Sequence, residues 1–408
     1  MAPSCRSCEQ PKLQPILSLG KTPLANSLLT ESELNVPEET YPLDLVFCGS
    51  CSLVQITEVV PPEKLFSEYL YFSSFSDAMV AHARNLTQRL IETRSLNSTS
   101  LVIEIASNDG YLLQHYQQSG VPVLGIEPAT NIASVAIERG IDTLNEFFGE
   151  ALARRLNGES RFADVIHAHN VMAHVADLNG FIHGINQVLK DEGVAVIEVP
   201  YVRDMIEGVE FDTIYHEHLC YFSLSSVASL VKRHSMHVTD VEHVPIHGGT
   251  LRIFIQKEGH GSVSSRVSDV LANEKTLEMD RLAYYSNFAT RVEKLKAELV
   301  QLLESLKQAG KSIVVYGASA KGSTLLNYFG LGKDQLDYVV DRSTVKQGRY
   351  TPGTHLLIDS PERLLIDQPD YVLLLTWNFA DEILAQQAEY RSRGGQFIIP
   401  IPTLRVVQ

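Results

Sequence analysis

Between residues 101 and 256, short apolar runs alternate with stretches of helical spacing, and nothing else in the chain limits its fold as tightly. The runs at 101–106, 121–126, 163–168 and 193–199 are bounded by turn residues and too short for helices, so they read as strands. Helical patterns fill the gaps after the first two, and Gly140 suits the C-terminal cap of the second. Strand and helix in alternation give a parallel sheet covered on both faces, a doubly wound α/β unit. Two further strand-like runs, 236–244 and 249–256, joined by Pro245-Ile246-His247-Gly248, close that sheet with an antiparallel hairpin. A second α/β unit follows, with strands at 313–316, 338–340, 371–376 and 396–399. Residues 265–308 carry an almost unbroken helical pattern, read as a long linking helix in preference to a coiled-coil contact.

The N-terminal stretch obeys a different constraint. Four of the five cysteines form two pairs, Cys5-x-x-Cys8 and Cys48-x-x-Cys51, too few and too clustered for a disulfide scaffold. Two such pairs offer four thiolates to one tetrahedral Zn²⁺ and leave no open position, so the metal is structural. The expected organisation is a zinc module at 1–76, a first α/β domain at 77–262, and a helix with a second α/β domain at 263–408. Lys and Arg total 34 against 49 Asp and Glu, a net charge of −15 that disfavours nucleic acid and anionic membranes as partners. No apolar run approaches the roughly 20 residues that span a bilayer. The start, Met1-Ala2-Pro3-Ser4-Cys5, lacks a secretory pattern, so the expected location is cytoplasmic.

Ligands of open parallel sheets bind beyond the carboxyl ends of the strands, and four segments with chemical potential fall there. Glu104-Ile-Ala-Ser107-Asn108-Asp-Gly110 ends the first strand, and Glu127 ends the second, placed to accept from two ribose hydroxyls. The turn lacks the G-x-G-x-x-G spacing that cradles a pyrophosphate, so an adenosyl cofactor without phosphates is expected. The segment His167-Ala-His-Asn170 to His174 is read as leaving the third strand on the ligand side, with Asn170 toward the cofactor and His174 toward a substrate. Tyr215-His216-Glu217-His218 packs four ionisable side chains into four positions and reads as acid–base machinery. In the second α/β unit, Gly317-Ala-Ser319-Ala-Lys321-Gly322 opens a helix after a strand, where exposed amides and a lysine suit a phosphate. That loop alone is equally compatible with NAD, a nucleotide sugar or plain packing. His247-Gly248-Gly249 reads either as a hairpin turn or as substrate lining.

These motifs, in this order, resemble the deoxysugar C-methyltransferases that act on nucleotide-activated keto-sugars. The resemblance runs the whole length and includes Gly125-Ile-Glu-Pro128, Asp341-Arg-Ser343, Lys346-Gln-Gly-Arg-Tyr350, Pro352-Gly-Thr354 and Trp377-Asn-Phe379. It implies a methyltransferase-type sheet, for which the closing hairpin is typical, between a zinc module and a C-terminal Rossmann-like α/β domain. It further implies S-adenosylmethionine as cofactor, a nucleoside-diphosphate keto-sugar (dTDP-linked or similar) as substrate, and methylation at C-3 beside a 4-keto group. By the same resemblance His218 is the proton-abstracting base supported by Tyr215 and Glu217, and Tyr69, Asn170, His174 and Lys321 face the substrate. Two other readings compete: an NAD-dependent nucleotide-sugar oxidoreductase or epimerase with Asp341 on the ribose, and a non-catalytic zinc-module scaffold.

Overall fold

The computed structural model describes residues 3–66, 72–246 and 248–408, so Tyr69 and His247 lie outside the described residues. Three sheets organise the chain. In the first, β1 (Leu13–Pro23), β2 (Thr40–Cys48) and β3 (Val54–Ile56) run antiparallel. The long spacer between the cysteine pairs is therefore a hairpin. The second sheet holds β4 (Val102–Ile105), β5 (Val123–Ile126), β6 (Thr143–Leu144), β7 (Ala163–His169) and β8 (Leu189–Pro200), all parallel. Next in the chain comes β9 (Cys220–Tyr221), which leaves this sheet and pairs with β3, becoming the fourth strand of the N-terminal sheet. Two antiparallel strands, β10 (Met236–Val244) and β11 (Thr250–Lys257), complete the second sheet in the order β10-β11-β8-β7-β4-β5-β6. The third sheet is β14-β13-β12-β15-β16-β17, built from β12 (Ile313–Tyr316), β13 (Val339–Val340), β14 (Ile358–Asp359), β15 (Tyr371–Leu374), β16 (Gln396–Ile399) and β17 (Arg405–Val407). Only β17 is antiparallel there.

One apolar core runs from Leu17 and Phe47 through Ile197 and Leu251 to Leu303 and Phe397. The N-terminal module has no core of its own; its apolar face is buried against the rest of the chain. The predicted long helix is broken into Ser265–Thr276, Leu282–Tyr285 and Phe288–Gln308. Glu278 adopts a left-handed φ of 56° in the break. The apolar stripe of the last segment, Phe288, Val292, Leu295, Leu299 and Leu303, is buried within the chain rather than offered to a coiled-coil partner.

A second correction concerns His167 and His169. The sequence places His167 after its strand on the ligand side, but both lie inside β7 and are buried. They belong to a row of ionisable groups across one face of the sheet, in register from Glu104 to His167, from His169 to Glu198, and from Arg252 to Glu198 and Glu242. The Tyr116 hydroxyl meets His167 Nε2 at 2.9 Å, and the two histidines share a 3.0 Å hydrogen bond. Arg252 Nε donates to Glu198 at 2.6 Å, while His82 contacts the same carboxylate at 2.9 and 3.1 Å. Burial pushes the Glu198 pKa up, but His169, His82 and Arg252 outweigh it and hold the carboxyl well below the usual range. His82 and Arg89, which pairs with Glu242, pin the helix Asp77–Thr93 over this face. No helix among the described residues is long and apolar enough to cross a membrane.

Candidate active site

The four cysteines meet. Their sulfurs all lie within 4.8 Å of one another, with Cys5–Cys51 and Cys8–Cys48 both at 3.5 Å. A tetrahedral zinc with Zn–S bonds of about 2.3 Å needs sulfurs about 3.8 Å apart, so the donor set fits the ion. The chain around the cluster is tied inward: Arg6 donates to the carbonyls of Ile56 and Glu58, immediately beside the strand that pairs with β9.

At the carboxyl ends of β4, β5 and β7 the backbone is strained in one place. Ala106, Asn108 and Asn170 all adopt left-handed φ values, between 49° and 54°. Each such non-glycine residue costs on the order of 1 kcal/mol, and such outliers cluster where a ligand is held. Glu127 accepts the N–H groups of Asn108 and Ala129, both at 2.9 Å, which fixes its carboxylate at the end of β5. Asn108 Oδ1 accepts from Ser73 N–H at 2.8 Å, so the segment before the helix Asp77–Thr93 caps the turn. Gly110 has φ 79°, and a Cβ there would meet Ile141 at 2.8 Å. Packing and the left-handed backbone both demand that glycine. Four buried polar atoms have no hydrogen-bond partner among the described residues: Glu104 Oε2, Ser107 Oγ, Asp109 Oδ1 and Asn170 Oδ1. Burial, then the nearby Glu127, Asp109 and Glu198, drives the Glu104 carboxyl far above its ordinary pKa. An acidic, under-satisfied cradle of this kind suits a ligand bearing an ammonium, a sulfonium and ribose hydroxyls.

The Tyr215–His218 segment is split by the fold into two pairs. Tyr215 and His218 face each other, with Tyr215 Oη 2.8 Å from His218 Nε2. His218 Nδ1 is 3.0 Å from the Thr213 carbonyl, which can only accept. The imidazole proton therefore sits on Nδ1 and the lone pair on Nε2. His174 lies edge-on to His218, ring centroids 4.8 Å apart, and bonds the backbones of Glu217 and Asn170. Burial lowers the His174 pKa to about 4, leaving it neutral. His216 and Glu217 turn the other way, toward the N-terminal module. His216 Nε2 lies 3.1 Å from the Pro42 carbonyl, and Asn26 donates to Glu217 Oε1 at 2.6 Å. Burial raises the Glu217 carboxyl to about 7.

All three units hold this loop. From the N-terminal sheet, Ile56 N–H donates to Leu219 at 3.0 Å; in the middle unit, Leu219 N–H donates to Ala173 at 2.8 Å. In the C-terminal unit, Thr324 Oγ1 reaches the Ile214 carbonyl at 3.3 Å, Trp377 Nε1 donates to the buried Asp212 at 2.7 Å, and Phe329 stacks on Phe211. Lys321 does not project freely from its loop: its Nζ is buried 4.5 Å over the Trp377 ring and is the cation acting on Glu210 and Asp212. Ser319 caps the helix Ala320–Phe329 by accepting from Gly322 N–H. Asp341 takes the N–H groups of Ala318 and Ser343, both at 2.8 Å, so each of its oxygens accepts one bond from the loop.

Several residues at this junction escaped the sequence reading. Asn26 sat in what looked like a spacer between cysteine pairs and carried no signal. Glu210 and Asp212 precede the Tyr-His-Glu-His segment and read as ordinary charged loop. Burial lifts Glu210 to about 8.

Comparison with known proteins agrees with this architecture. A zinc binding domain model matches residues 5–66, a methyltransferase domain model residues 79–239, and a C-methyltransferase C-terminal domain model residues 245–402. C-methyltransferase NovU of Streptomyces niveus is 35% identical over 404 residues, 99% of this chain and 96% of the relative. The ubiquinone biosynthesis O-methyltransferase of Rhodopseudomonas palustris (strain BisA53) is 30% identical over 107 residues, 26% of this chain and 42% of that protein. Among solved structures, an S-adenosylmethionine-dependent methyltransferase from Clostridium acetobutylicum ATCC 824 aligns with a TM-score of 0.34 at 10% identity, over 43% of this chain and 91% of the other.

Proposed function

The chain belongs to the C-methyltransferase family and is S-adenosylmethionine-dependent, and we propose that it methylates C-3 of a nucleotide-linked 4-keto-deoxysugar with His218 as base. On this reading residues 1–76 are the zinc module, 77–262 bind the cofactor, and 263–408 help hold the nucleotide sugar. The observation that carries the proposal is the fixed tautomer of His218, with Nδ1–H committed to Thr213 and the Nε2 lone pair turned to the Tyr215 hydroxyl.

A hydrogen on carbon beside a ketone is acidic enough for a positioned imidazole to remove. The C–H electron pair becomes the carbon–carbon double bond of an enolate, and the negative charge moves to the keto oxygen. His218 becomes an imidazolium, still bonded to Thr213. Its neighbour His174 stays neutral, so no like charge opposes that protonation. Tyr215 is the nearest hydroxyl donor to the base and steadies the ring between turnovers. Glu104, Asn108 and Glu127 would hold the cofactor, with Asn170 at its edge; bound there, it would supply an electrophilic methyl to the enolate carbon, with its sulfur as the leaving group. A positioned base is worth roughly 10²–10⁴ in rate.

The test is incubation with S-adenosylmethionine carrying a ¹³C methyl group and a panel of nucleotide-4-keto-6-deoxyhexoses, read by mass spectrometry and ¹³C NMR. The expected product carries the label on the carbon next to the ketone. Label on oxygen, or on no sugar in the panel, contradicts the reading.

A further inference from the structure

Glu217 is the one carboxyl of the Tyr215–His218 segment, and its only side-chain hydrogen bond among the described residues spans 191 positions to Asn26. Asn26 lies past the end of β1, in a segment that the C-terminal unit clamps. Leu29 and Tyr350 exchange two backbone hydrogen bonds at 2.9 and 2.8 Å. Glu38 accepts from Gly353 N–H at 2.8 Å and contacts His355 at 2.7 Å. The Lys346–Tyr350 and Pro352–Thr354 motifs thus dock the N-terminal module onto the C-terminal unit. That docking delivers Asn26 to Glu217, on which the Lys346 ammonium also acts.

We infer that Asn26 is a positioning residue for methyl transfer: its amide, carried across from the zinc module, fixes the carboxyl of Glu217, the chain neighbour of His218. The inference rests on the proposed role of the Tyr215–His218 loop and extends it to a residue outside the methyltransferase domain. Its physical content is simple. A donor to a carboxylate favours the ionised form, and so does the Lys346 ammonium, whereas burial opposes both. The other ionisable groups here are His174, bonded to the Glu217 backbone, and Tyr215, His216 and His218 of the same loop. Removing the Asn26 donor leaves burial less opposed. Whichever form of Glu217 the reaction needs, the pH limb it governs then moves upward.

The experiment uses full-length, zinc-loaded protein labelled with ¹³C in the glutamate carboxyl groups. The Glu217 resonance is the one missing in Glu217→Gln. Its NMR titration is compared in the wild type, Asn26→Ala and the similarly sized Asn26→Leu, which keeps the bulk, loses the donor and adds no charge. Both variants are expected to titrate Glu217 at least about one pH unit higher, the loss of one hydrogen bond to a carboxylate. One limb of the kcat profile should move by the same amount while S-adenosylhomocysteine affinity stays within about threefold. A Glu217 titration unchanged in the Leu variant overturns the inference. A shifted titration in protein that methylates no keto-sugar leaves it standing and rejects the substrate assignment instead.

Discussion

The buried row beneath the helix Asp77–Thr93 offers the sharpest stability prediction. Arg252 is 6% exposed and Glu198 fully buried, so neither can recover its interactions from water once the partner is gone. Arg252→Met leaves the Glu198 carboxylate facing only His82 and His169. Breaking one partner of such a buried pair costs about 3–5 kcal/mol, or very roughly 10 °C in the unfolding temperature of a domain this size. Adding Glu198→Gln to that variant removes the stranded charge, so the double variant should be more stable than Arg252→Met alone. The pH dependence has a definite sign. The folded pKa of Glu198 lies below its unfolded value, so its contribution is complete above the ordinary carboxyl range and is lost as pH falls toward the folded value. Thermal unfolding of the wild type, the two single variants Arg252→Met and Glu198→Gln, and the double variant between pH 2 and 8 is the assay. A loss under about 1 kcal/mol for Arg252→Met, or an additive double variant, would show that solvent screens the pair and that it does not pin the helix.

Three more outcomes are expected. Glu217, raised to about 7 by burial, has the opposite sign: its contribution is full below the ordinary carboxyl pKa and is lost as pH rises through 7, so Glu217→Gln should gain about 3 kcal/mol on wild type between pH 4 and 8; parallel stability curves would refute the shift. Cys48→Ser should abolish stoichiometric zinc and methyl transfer together, because β9 joins the Tyr215–His218 loop to the cysteine-bearing sheet, while leaving S-adenosylhomocysteine binding measurable by calorimetry. Glu127→Ala should weaken that binding at least about tenfold, the cost of losing one or two hydrogen bonds to a charged group.

What the sequence disclosed follows from how local each signal is. The strand–turn–helix units, the closing hairpin and the paired cysteines are short-range patterns, so 101–106, 236–256 and the zinc knuckles were legible in the residues themselves. The place of the Glu104–Gly110 turn and of Glu127 at strand ends was legible for the same reason: a strand end is a local address. Helical periodicity over 265–308 could not reveal the break at Glu278, because apolar spacing survives a turn of that kind. His167 and His169 were misplaced because a polar residue inside a buried strand looks like the strand's end until its partners on three other strands are known. Nothing in the residues around Asn26 or Asp212 shows that they meet Glu217 and Trp377. Those contacts exist only once β9 has crossed to the N-terminal sheet and the third unit has docked.

The proton removal proposed for His218 can be watched without methyl transfer. Wild-type protein holding S-adenosylhomocysteine, which has no methyl to give, is mixed in D₂O with a nucleotide-4-keto-6-deoxyhexose, and the C-3 proton is followed by NMR. The proton should wash out with wild type and persist with His218→Asn, whose S-adenosylhomocysteine affinity stays within about threefold, since the deficit falls on proton transfer. Equal exchange by both proteins would contradict the assignment of the base.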